Sequence, residues 1–182
     1  MCRLFRLAAL WHITRRLITI NENYRGYAPP HWIRRTVERL LASLPDGYQN
    51  GLSAIVLTSS AHDGHGGRRS RSNRHNEALG VYRGGAHRES ASIELIVDRI
   101  VSDIPQPVRW IRLVRDIAVG RVLFHEIGHH LTEVVGPLGR NGELSAEAWR
   151  SRLSGRYFRA QYAYLRPAVP ALRWIVRKLK RR

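Results

Sequence analysis

Cysteine is nearly absent from this chain of 182 residues, in which Cys2 stands alone. That excludes an intramolecular disulfide framework and any metal site built on paired cysteines, and it points to a reducing, cytoplasmic setting. Lysine is almost as rare, with Lys178 and Lys180 the only two among 31 cationic side chains, an arginine bias that GC-rich codons also produce. Long apolar runs are missing as well. No stretch approaches the roughly 18 consecutive apolar residues of a membrane-spanning helix. Leu4 to Trp11, interrupted by Arg6 and followed by no small-residue cleavage site, reads poorly as a signal peptide. Acidic residues are scarce, 14 against 31, and the net charge of +17 favours non-specific contact with nucleic acid or an anionic membrane surface.

What is present suffices for one globular domain, since 43% of the residues are apolar. The chain divides into a basic N-terminal segment (1–16), a folded domain (17–166) carrying a mobile basic loop at 60–77, and a basic amphipathic tail (167–182). Leu17 to Ile20 reads as a short strand. Pro29-Pro30 then announces a helix, with Ile33, Val37, Leu40, Leu41 and Leu44 at helical spacing. Leu52 to Thr58 reads as a buried strand, and two more strands follow, about Leu79 to Arg83 and Ser92 to Ile100. Beyond Pro105 and Pro107, an apolar series from Ile117 to Val134 predicts a helix buried on most sides, which Gly136-Pro137 stops. A last helix, capped by Ser145, presents Trp149, Leu153, Tyr157, Ala160 and Tyr164 on one stripe.

The long apolar helix carries His125, Glu126 and His129, the pattern His-Glu-x-x-His. At about 100° per residue, positions four apart share a face, so His125 and His129 can hold one metal ion while Glu126 flanks it without ligating. Imidazole nitrogens suit zinc, and three protein ligands leave a fourth position for a water whose pKa falls to about 7. Glu126 is then placed to act as general base in hydrolysing a peptide bond. With nine His and nine Glu, chance would produce this spacing in roughly 2% of chains, and the flanking Leu123, Phe124, Ile127 and Leu131 make unpurposed polar burial costly. Gly128 costs a mid-helix position about 1 kcal/mol against alanine and marks close approach by another element.

The third ligand lies elsewhere. No histidine follows His130 and no aspartate follows Asp116, which leaves Glu133, Glu143 and Glu147 downstream. Glu133, one turn past His129 on the same helix, suits a supporting role, so Glu143 and Glu147 both remain open. The stretches LFHEIGHHL (123–131) and SAEAWR (145–150) resemble the gluzincin zinc peptidases, nearest the minimal gluzincins and distantly the ImmA/IrrE-like proteases. That resemblance implies an α+β, zincin-like fold, with a small twisted mixed sheet packed on an active-site helix and a following glutamate-bearing helix. It implies a zinc metalloendopeptidase with Zn2+ held by His125, His129 and Glu147, and Glu126 as the catalytic base. It further implies that an edge strand, Leu79 to Arg83 or Ser92 to Val97, holds extended substrate by strand addition.

Weaker signals surround this core. His130 reads as a packed or solvent-facing histidine, and His62, Asp63, His65 and His75 as part of a solvated loop rather than a second metal site. Tyr157, Tyr162 and Tyr164 are candidate oxyanion donors, with core packing the default for two of them. Arg68, Arg69, Arg71 and Arg74 form a basic patch without interleaved aromatics. A rival function is a nucleic-acid-binding protein with a structural or vestigial zinc site; a protein or peptide substrate is the partner that the main reading requires.

Overall fold

The computed structural model describes residues 18–60, 78–84 and 91–168. The basic N-terminal segment, the loop at 61–77 with its four candidate metal residues and its arginine patch, and the tail from 169 onward lie outside these. The architecture is mixed α and β, built on a four-stranded sheet. Strand β1 (Thr19–Asn23) leads into helix α1 (Trp32–Ala42), and β2 (Leu52–Thr58) returns parallel to β1, with Thr19 opposite Ala54. Strand β3 (Gly80–Arg83) is followed by β4 (Ala91–Ile96), which lies between β2 and β3. β4 is parallel to β2 and antiparallel to β3, so β3 forms one edge of the sheet. The α1 boundaries follow from the pattern. Ile33, Val37, Leu40 and Leu41 are buried along one face, and the Ser43 N–H bonds back to Leu40 to close the last turn.

The strand expected to run to Ile100 ends at Ile96, and Val97–Ser102 form a short helix, α2. Ile96, Val97, Ile100 and Val101 are all buried, a helical spacing that overrides the alternation of Ile93, Leu95 and Val97. The Asp98 carboxylate fixes the change of direction by accepting from the backbone N–H and hydroxyl of Ser60 at the end of β2. Similarly, β1 begins two residues later than expected, at Thr19.

Helix α3 (Arg112–Val134) lies against β3 and β4 and packs along α4 (Gly142–Gln161). Its apolar residues Val119, Leu123, Phe124, Ile127 and Leu131 are buried, and Gly136 at φ +124 turns the chain out of the helix. Ser145 is not the cap of α4. Asn141 takes that position, its side chain accepting from Leu144 N at 2.8 Å, so the helix starts four residues earlier than expected. Ser145 is instead a buried residue inside the helix, accepting from Leu138 N and sharing a 2.8 Å hydrogen bond with Thr132. The apolar stripe of α4 holds for Trp149, Leu153 and Tyr157, but Ala160 and Tyr164 are exposed. The helix ends at Gln161, and the 3-10 turn that follows puts Tyr162 into the core in their place. Among the described residues, no helix is long and apolar enough to cross a membrane.

A fully buried charge ties the helices together. Asp116 of α3 accepts from Tyr157 Oη at 2.5 Å and Tyr162 Oη at 2.7 Å, and forms an ion pair with Arg39 of α1. Arg39 in turn donates to Tyr157 Oη at 3.2 Å and to Thr36 Oγ1 at 3.3 Å. Every partner of the carboxylate is a donor, which is what makes its burial tolerable. Asp116→Ala leaves Arg39 and two phenols without their acceptor and is expected to cost about 3 kcal/mol or more, read as a lower urea midpoint at unchanged m-value.

Candidate metal centre and cleft

His125 and His129 project from one face of α3, half-buried, with ring centroids 4.9 Å apart and planes perpendicular. Their outer partner comes from α4, which runs back along α3 after the turn at 135–141. What lets α4 come so near is Gly128. A Cβ there would meet the Ala146 carbonyl oxygen at 2.5 Å and its Cα at 2.8 Å, so only glycine fits. The close approach expected for this residue is therefore to the backbone of the glutamate-bearing helix.

Glu143, in the first turn of α4, spans the two imidazoles: Oε2 lies 3.5 Å from His125 Nε2 and Oε1 lies 3.7 Å from His129 Nε2. Among the described residues, His125, His129 and Glu143 form the group whose candidate ligand atoms all lie within 4.8 Å of one another. These spacings are near the roughly 3.4 Å that separates neighbouring donors around a tetrahedral ion with bonds of about 2.1 Å. Two imidazoles and a carboxylate are a donor set suited to zinc. Glu147, one turn further on, approaches the other nitrogen of His125, with Oε2 3.8 Å from Nδ1. The same oxygen accepts from Arg150 Nε at 2.6 Å, and Arg150 Nη2 holds the second oxygen. The structure thus brings Glu143 to both histidines and gives Glu147 to His125 and Arg150. The hydrogen bond from Arg150 keeps the Glu147 carboxyl below its ordinary pKa.

Glu126 is 7% exposed and lies under the edge strand. Burial raises its pKa to about 7; a hydrogen bond from the Tyr82 backbone N–H lowers it somewhat, and the charge of Glu143 adds to the rise. Gly80 makes this contact possible, since a Cβ there would meet Val122 Cγ1 at 2.8 Å and Glu126 Cγ at 2.9 Å. Burial lowers the pKa of His125, with the neighbouring His129 acting in the same direction and Glu143 and Glu147 opposing it. A neutral imidazole is the form that binds a metal.

No protein-family model, curated protein or solved structure matches this chain. Its chemistry must therefore be read from the cleft itself, a cavity of about 700 Å³ between β3, α3 and α4. The three tyrosines considered as oxyanion donors do not line it: Tyr157 and Tyr162 bind Asp116, and Tyr164 is exposed. Tyr82 does line it. Its ring lies parallel to His129 at 6.5 Å, and its hydroxyl donates to Glu133 at 2.9 Å, within 3.3 Å of His130 Nδ1. His130 is fully packed, its Nε2 donating to the Asn50 carbonyl at 2.9 Å, which confirms it as a structural histidine. Arg121 and Arg150 also border the cavity. Sequence reasoning missed Tyr82, Arg121 and Arg150; the spacing Arg121–His125–His129, four residues apart on one helix, was the available signal for Arg121.

Gly128→Ala is expected to force α3 and α4 apart. The outcome is a loss of about 1–3 kcal/mol in unfolding free energy, read as a lower urea midpoint.

Proposed function

We propose that this chain is a zinc-dependent metalloendopeptidase of zincin-like architecture. The observation that carries the reading is the convergence, in one cleft, of two imidazoles and a carboxylate with the buried carboxyl of Glu126. His125, His129 and Glu143 would hold the ion, and Glu147 stands behind His125 as its supporting carboxylate. When bound, zinc would supply a Lewis acid for the substrate carbonyl and acidify the attacking water. Glu126 would take the proton of that water and deliver it to the departing amine, since its carboxylate lines the same cleft as the two histidines. Its packing under Gly80 fixes the direction of the carboxyl, which still lines the cleft.

Substrate binding falls to β3 rather than to β4, because β4 is paired on both sides and β3 is an edge. The Leu79 carbonyl accepts from Ile96 N, so by alternation the backbone polar groups of Gly80 and Tyr82 face away from β4, and the Tyr82 N–H indeed reaches Glu126. The remaining outward groups offer an extended peptide a partner strand beside the metal site.

Glu126→Gln is expected to keep one zinc per chain by elemental analysis while peptide hydrolysis falls about 10²–10⁴-fold; undiminished hydrolysis would falsify the assignment of the base. Ligation is tested separately. Glu147→Gln should weaken zinc binding about 10–100-fold, as loss of an outer partner does, and Glu143→Gln should weaken it more. The opposite order moves the third ligand to Glu147.

A further inference from the structure

Two arginines border the cleft, one from each helix that forms it. β3 and α3 run in the same sense, since Gly80 rests on Val122 and Glu126, Tyr82 stacks on His129, and Gly84 faces Glu133. α4 runs the other way, with Glu143 at both histidines and Glu147 at His125. Arg150, three residues past Glu147, therefore lies beyond His125, on the side where Arg121 stands one turn before it on α3. Both arginines border the cavity, Arg121 from α3 and Arg150 from α4.

Neither guanidinium is used up by its present partner. Arg121 meets Asp103 through Nη2 at 3.3 Å, and both side chains are more than half exposed. Arg150 spends Nε and Nη2 on Glu147 and keeps its Nη1 hydrogens. Glu147 acts as an anchor, holding Arg150 beside the cleft and leaving a face of its fork for another anion. A peptide added antiparallel to β3, the more stable pairing, runs with its C-terminal part toward this end. One helical turn of about 5.4 Å separates Arg121 from His125, a distance covered by roughly two residues of extended chain.

Resting on the peptidase reading above, we infer that Arg121 and Arg150 form an anion subsite that selects peptides carrying aspartate or glutamate within two residues on the C-terminal side of the bond cut. Of the two, Arg150 is held beside the cleft by Glu147, while Arg121 meets Asp103 at the surface and can turn toward a substrate. The substrate carboxylate joins these pairs, adding charge-assisted hydrogen bonds to donors already in place.

The test digests a random peptide library with the zinc-loaded full chain and sequences the new N-termini. In parallel, the zinc-loaded Glu126→Gln protein binds labelled peptides that differ only in Glu, Gln or Lys at the two positions, read by fluorescence anisotropy. Expected are enrichment of acidic residues at the first two positions after the cut and about tenfold tighter binding of the Glu peptides than of the Gln peptides. Both preferences should fall in Arg121→Gln and Arg150→Gln but persist in Arg156→Gln, which removes the same charge from an exposed position of α4 outside the cleft. Cleavage with no acidic preference overturns the subsite and leaves the peptidase reading standing. Acidic binding that depends on Arg121 and Arg150, without any cleavage, keeps the subsite and sinks the peptidase reading. A preference that Arg156→Gln reduces equally is bulk attraction to the net charge and overturns the subsite.

Discussion

The contact of Gly128 with the backbone of Ala146 is the constraint on which the cleft depends. An α-helix surrounded by ordinary side chains keeps its neighbour 8–10 Å away, and at the wider end of that range a carboxylate on α4 would fall short of imidazoles on α3. With no side chain at the crossing, the two helices close on each other. Glu143 then reaches both histidines, and Glu147 reaches the far nitrogen of His125. Thr132 and Ser145 complete the crossing with a hydrogen bond between small side chains, so the approach is held by a polar contact as well as permitted by a missing methyl.

Two buried polar networks keep α3 from turning about its axis. Near its start, Asp116 is gripped by α1 through Arg39 and by α4 and the turn after it through Tyr157 and Tyr162. Near its end, His130 reaches the turn before β2 through Asn50, and Glu133 takes the hydroxyl of Tyr82 from the edge strand. The histidine pair lies between these anchors, and Glu126 is pressed under Gly80 of β3. A helix rotation of even one residue would swing the pair by about 100°, so anchoring at both ends is what makes a shared focus durable.

Much of the frame was legible in the residues. The strand at Leu52–Thr58, the α1 face and the α3 stop at Gly136 all appear where hydrophobic period and glycine punctuation put them. The placement of His125, Glu126 and His129 follows directly from helical geometry, and Gly128 announced a close neighbour. What failed was local chemistry with two competing signals. The alternation of β4 continued on paper into α2, yet burial of Ile96 together with Val97 decided for a helix. Ser145 had the right type for a cap, but Asn141 was earlier in the chain and took the role. That shift of four residues put Glu143 inside α4, where it meets the histidines; no periodicity in the sequence distinguishes it from Glu147. Arg121 shares its helical spacing with the histidines, but placing Tyr82 and Arg150 at the cleft required knowing which strand is the edge and how α4 runs past α3, facts that reside in tertiary pairing.

Glu143 is 77% exposed, whereas the two histidines are three-quarters covered. The acceptor that completes the donor set therefore belongs to the solvent side, and rotating one carboxylate opens the route between bulk water and the imidazoles. On the proposed metal reading, an ion would enter and leave by that route without unfolding or separation of the helices. Under the zinc peptidase proposed above, occupancy would then track the free metal of the surroundings within the lifetime of the folded chain, and so would activity.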